Sequence, residues 1–110
     1  MRRAVMYLAI VSVVGAGAAP AAAQESKGEK VFAAQKCALC HSVGGKGNVK
    51  GPLDEAVNKL SADEIREWIT DAKGMTAKTQ ATRKPAMKQF NLPKDDVDAL
   101  VVYLSAMKKK

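Results

Sequence analysis

The sequence predicts an all-α fold, and three observations carry the prediction. No segment alternates apolar and polar residues in the two-residue period of a strand. Val97, Leu100, Val101, Leu104 and Met107 form one apolar stripe at helical spacing near the end of the chain. Ser61 and Glu64 stand at the spacing of a capping box just ahead of Ile65, Trp68 and Ile69.

The chain opens on Met1-Arg2-Arg3, runs from Ala4 to Val14 with Ser12 as its one polar side chain, and then carries small residues from Gly15 to Ala23. A basic start, an apolar run and a small-residue end are the parts of an export signal, with cleavage expected before Gln24. The apolar run is short for the roughly 20 residues that span a bilayer. Residues 1–23 are therefore expected to be a cleaved signal peptide and residues 24–110 one exported, periplasmic domain with no stable membrane insertion. No cysteine lies near the cut, which argues against a lipid anchor.

Without Arg2 and Arg3 the remaining chain has 16 basic and 11 acidic residues, a balance of +5, so an acidic partner is expected. A domain of this size buries a modest fraction of its surface and often relies on a cofactor, metal or disulfide. Its only aromatic residues are Phe32, Trp68, Phe90 and Tyr103, too few to fill a core.

The elements follow in order. Gly28, Val31, Phe32 and Gln35, with lysines and Glu29 between them, predict an amphipathic helix over 27–36. Residues 42–52 are rich in glycine and predict a loop. The capping box predicts a helix over 61–72. Residues 73–89 lack a clean period, contain Gly74 and Pro85, and read as irregular. Beyond Pro93, Asp95 and Asp96 suit a helix N-terminus, and the apolar stripe carries that last helix to a basic tail, Lys108-Lys109-Lys110.

Cys37-Ala38-Leu39-Cys40-His41 is a C-x-x-C-H sequence, which in an exported chain reads as an attachment site for haem c. Two thiols three residues apart can each bond a vinyl group of one porphyrin, and the adjacent imidazole can reach the iron. A disulfide between the two cysteines would leave His41 unexplained. A thioredoxin-type pair needs a helix starting at its first cysteine, whereas here a helix precedes it. Structural zinc needs four ligands, and the chain has two cysteines and one histidine.

His41 is the only histidine, so one chain cannot supply two imidazoles to iron. The second axial position falls to methionine, lysine, a small molecule or nothing. Met87, after Pro85-Ala86 in the irregular segment, is the first candidate; Met75 is the reserve and Lys88 a distant third. Met107 belongs to the apolar stripe and reads as core. Methionine also packs cores generally, so Met87 as a packing residue is the competing reading.

With these residues in view, the chain resembles the class I cytochromes c, in particular compact bacterial members with one haem, over about residues 26–107. Gly28 and Phe32 before the motif, and Leu100 and Tyr103 near the end, resemble the family's crossing of N- and C-terminal helices. Gly51-Pro52-Leu53 resembles its Gly-Pro motif, which implies that the Pro52 carbonyl accepts a hydrogen bond from His41 and orients the ring. Trp68 resembles a tryptophan that meets a haem propionate, and Pro85-Ala86-Met87 resembles the distal loop. The resemblance implies three to five short helices wrapped around one covalent haem c, with His41 and Met87 on the iron. It also implies single-electron transfer between redox partners, with no catalytic residues. The alternatives are a haem subunit of a periplasmic dehydrogenase or terminal oxidase, and a haem protein with an open iron site.

Lys36, Lys46, Lys50, Arg83, Lys84 and Lys88 flank the motif and the distal loop. They suit a redox protein with an acidic docking surface, against the plainer reading of a solubilising surface. Nucleic acid is not expected, since export separates the two and no aromatic residues interleave with the charge. A monomer is expected.

Overall fold

The computed structural model describes residues 21–108. They form five α-helices and one short hairpin, with the elements placed by local caps and one shared core. The first helix, α1, spans Ala21–Ala34 and buries Gly28, Val31 and Phe32. It starts earlier than the expected 27 and stops before 36, because Lys36 takes a left-handed φ of 58° that reverses the chain into a 3-10 turn, Cys37–Leu39. The expected cleavage point before Gln24 falls in its first turn, and the rest of the expected signal peptide, residues 1–20, lies outside the described residues.

Strands β1 (Ser42–Val43) and β2 (Lys46–Gly47) pair antiparallel, Ser42 with Gly47 and Val43 with Lys46. Their two-residue turn, Gly44-Gly45, needs positive φ at both positions, and has 58° and 80°. The Asp54 carboxylate accepts from the Gly44 N–H at 3.0 Å and ties the turn to the next helix. That helix, α2, is a single turn over Leu53–Ala56, continued by a 3-10 turn, Val57–Lys59, which buries Val57.

Helix α3 spans Ala62–Thr70. Its capping box closes in both directions: the Glu64 N–H donates to Ser61 Oγ and the Ser61 N–H to Glu64 Oε1, each at 3.1 Å. The expected irregular stretch then begins with a helix, α4 over Ala72–Thr79. The sequence gives it no apolar stripe. It forms because Asp71 caps it, accepting from the Gly74 N–H at 3.1 Å, and because Ala72 and Met75 are buried. The irregular segment is thereby shortened to the stretch between α4 and Pro93, which precedes α5 (Lys94–Ser105).

The core lies where α5 crosses α1. Val31 and Phe32 meet Val97, Leu100, Val101 and Leu104, with Val57, Ile65 and Ile69 completing the cluster. Gly28 makes the crossing close: a Cβ there would meet the Ala99 carbonyl oxygen and lie 2.5 Å from Tyr103 Cβ. Phe32 and Tyr103 pack edge to face, with centroids 5.9 Å apart. At the rim of the crossing Lys27 pairs with Asp96 at 3.5 Å. Asp98 ties α3 to α5, accepting from Arg66 at 2.6 Å and from Lys94 at 2.7 Å.

Candidate functional site

A cavity of about 700 Å³ opens between the core and the segment that follows α4. Phe32, Ile65, Ile69, Leu100 and Leu104 belong to its walls as well as to the core, and Leu53 and Leu92 extend the apolar surface. Cys37, Cys40, His41, Trp68 and Met87 line this same cavity. Five residues singled out in the sequence are thus brought to one place by α1, α3 and the segment beyond α4.

The turn after α1 explains how the motif reaches the cavity. The Leu39 N–H donates to the Lys36 carbonyl at 3.1 Å, and both Cys40 and His41 donate to the Cys37 carbonyl, at 3.1 and 2.9 Å. This single tight turn carries both thiols and the imidazole together. Burial pushes the Cys37 thiol above its ordinary pKa, more than its backbone bond lowers it, with nearby Cys40 adding to the rise. Reactive thiolate pairs need the opposite shift.

His41 Nδ1 lies 3.3 Å from the Gly51 carbonyl oxygen. That contact assigns the ring proton to Nδ1 and leaves the lone pair on Nε2. Burial holds the His41 pKa below the usual imidazole value; the Gly51 bond opposes this and the Arg83 charge adds to it. A neutral ring with a free nitrogen is the form that ligates metal.

The carbonyl in contact with His41 is that of Gly51, not the expected Pro52. The Gly51 oxygen also accepts from the Ser42 N–H at 3.0 Å, which sets it beside the motif. Pro52 itself has extended backbone just ahead of α2 and stands opposite Ser42 in an isolated parallel bridge. Arg83 was missed as a neighbour of this contact: a Cβ on Gly51 would stand 2.8 Å from Arg83 Cζ. No local sequence signal joins the two positions.

The methionines separate clearly. Met87 lines the cavity and is half-buried. Met75 is 3% exposed on α4 and is not among the lining residues; Met107 packs against the core cluster. Trp68 lines the cavity from α3.

These residues fit haem c. The cavity is walled by aliphatic side chains that leave its volume unfilled by protein, as a large apolar group requires. Its donor set is two thiols, one neutral imidazole and one thioether, suited to a tetrapyrrole iron. Among the described residues no group of three His, Cys, Asp or Glu side chains is placed to hold a bare metal ion.

The comparison with protein families agrees with the geometry: the family model described as cytochrome c matches residues 25–108. The chain belongs to the cytochrome c family, and haem-based electron transfer is the chemistry that this membership supports. Neither the curated proteins nor the solved structures give a match.

Proposed function

We propose that the chain is an exported, periplasmic carrier of single electrons. It would hold one haem c through thioether bonds to Cys37 and Cys40, with His41 and Met87 as the axial ligands. The observation that carries this reading is the convergence of Cys37, Cys40, His41 and Met87 on one apolar cavity. When bound, haem c supplies reversible Fe(II)/Fe(III) exchange, and a thioether ligand favours Fe(II).

The chain's own residues position and shield. The Cys37 turn fixes the attachment points, the Gly51 carbonyl orients His41, and the walls from α1, α3 and α5 exclude water. With both axial positions filled by protein, no open site for a substrate remains, so the reading is a carrier and not an enzyme. Lys36, Lys46, Lys50, Arg83, Lys84 and Lys88 are all exposed, and among the described residues none of them forms an ion pair. That free charge suits an acidic redox partner and a salt-dependent encounter with it.

The test is a haem-stained denaturing gel together with a reduced-minus-oxidised spectrum and a CO challenge. Retained stain in wild type, loss of stain in the Cys37→Ala, Cys40→Ala double variant, and slow CO binding to Fe(II) are expected. A wild-type band that loses its stain, or rapid CO binding that Met87→Ala leaves unchanged, overturns the proposal.

One observation favours a second reading, a haem subunit of a periplasmic dehydrogenase or terminal oxidase. Leu39, between the two cysteines, is 71% exposed, and Val49 in the following loop is 68% exposed. Asn48, the residue before Val49, donates from Nδ2 to the Leu39 carbonyl at 3.1 Å and so ties that loop to the motif. Two exposed aliphatic side chains, one within the motif and one in the loop after it, suit a permanent interface. Co-purification with a catalytic subunit in fixed stoichiometry supports this reading; a free monomer in size-exclusion chromatography of the native extract removes it.

A further inference from the structure

The segment that carries Met87 is irregular, so something other than its own hydrogen bonds must hold it over the cavity. Gln89 spans the corner between α3 and α4. Its Nε2 donates to the Thr70 carbonyl, the last residue of α3, at 2.8 Å. Its Oε1 accepts from the Lys73 N–H, in the first turn of α4, at 3.1 Å.

These are the two kinds of group that helix ends leave without an internal partner: a terminal carbonyl and an initial N–H. A neutral carboxamide offers one donor and one acceptor, and so satisfies both at once. A carboxylate could serve only Lys73, and an ammonium only Thr70. Asp71, accepting from the Gly74 N–H, already caps α4, so Gln89 is not required to start that helix. What its two bonds add is a tie from the corner to the chain two residues past Met87.

We infer that Gln89 is a positioning residue for the sixth ligand, a clamp that holds Met87 toward the iron by fastening its segment to the α3–α4 corner. The inference rests on the reading that Met87 ligates. The clamp acts on the balance between Met87 bound and Met87 released, in which an exogenous ligand competes for the open position. Both bonds are exposed to water and each is of modest net worth. Losing the pair raises the released fraction by about tenfold.

The experiment measures imidazole binding to the ferric holoprotein, and the long-wavelength absorption band of methionine on ferric haem, in five proteins: wild type, Gln89→Ala, Gln89→Glu, Met87→Ala and Ser61→Ala. Gln89→Ala is expected to bind imidazole about tenfold more tightly than wild type and to weaken the band. Gln89→Glu, which keeps the Lys73 bond, falls between the two. Ser61→Ala loses the cap of α3 and lowers global stability, yet leaves both readouts at wild-type values. If Gln89→Ala leaves imidazole affinity unchanged in a wild type that shows the band, the clamp is wrong and the Met87 reading stands. If Ser61→Ala moves the readouts as far as Gln89→Ala, the effect is general loosening and the clamp is again wrong. A wild type without the band, in which Met87→Ala alters nothing, overturns the Met87 reading and the clamp with it.

Discussion

Gly28→Ala sets two physical effects of opposite sign against each other. In an isolated helix the change is favourable, since alanine exceeds glycine in helix propensity by about 1 kcal/mol. In this fold the new methyl meets the Ala99 carbonyl oxygen and stands 2.5 Å from Tyr103 Cβ and 2.9 Å from the Ala99 carbonyl carbon. The obstacle includes backbone in the middle of α5, so a rotamer change cannot relieve it. The crossing must open, and the contacts of Val31 and Phe32 with Leu100, Val101 and Leu104 loosen with it. Overpacking of this kind costs about 3 kcal/mol, and after the propensity gain a net loss of about 2 kcal/mol is expected. Guanidinium denaturation of the holoprotein at fixed pH and salt measures it, as a lower midpoint with an unchanged slope. A variant as stable as wild type, or more so, would show that propensity prevails and would refute the close crossing.

Two further predictions follow from the same interactions. The Asp98 carboxyl is held below its ordinary pKa by its bonds to Lys94 and then Arg66; its stabilisation is therefore complete above the unfolded value of about 4 and is lost as pH falls through the lower folded value. Asp98→Asn should lower the urea midpoint at pH 7 and leave it unchanged near pH 2, whereas an equal loss at both would show that the charge is irrelevant. Chain prepared without haem should give a weak near-ultraviolet circular dichroism signal and bind a hydrophobic dye, because the aliphatic lining of a cavity of about 700 Å³ would then face water. A sharp native spectrum from haem-free chain would overturn this reasoning.

Features fixed by neighbours in sequence were legible from it. The capping box at Ser61, the stripe of α5 and the turn at Cys37–His41 each depend on residues within a few positions of one another, and each lies where the pattern places it. The family matched over residues 25–108 is the one resembled by Gly28, Phe32, Leu100, Tyr103, Gly51-Pro52-Leu53, Trp68 and Pro85-Ala86-Met87 around the Cys37–His41 motif. Helix α4 was not legible, because its buried residues, Ala72 and Met75, form no stripe and its fixing contacts include Gln89 from the far side of the irregular segment. The choice of Gly51 over Pro52 was not legible either. It turns on how the chain at 51–52 pairs with Ser42, a property of backbone geometry that side-chain identities do not encode.

The core divides into two parts with different dependence on the cofactor. Val31, Val97 and Val101 belong to the core without lining the cavity, whereas Phe32, Ile65, Ile69, Leu100 and Leu104 do both. Gly28, Ala99 and Tyr103, the contacts that set the crossing distance, also lie off the cavity wall. The closest contacts of the α1–α5 crossing are therefore protein to protein, while Phe32, Leu100 and Leu104 also face the cavity. Helix α3 and the Met87 segment supply another part of the cavity wall, through Ile65, Trp68, Ile69 and Met87. Haem attached at Cys37 and Cys40, as proposed, would sit directly after α1, where these parts meet. A group bonded there would lie against Phe32, Leu100 and Leu104 of the crossing on one side and Ile65, Trp68 and Met87 on the other.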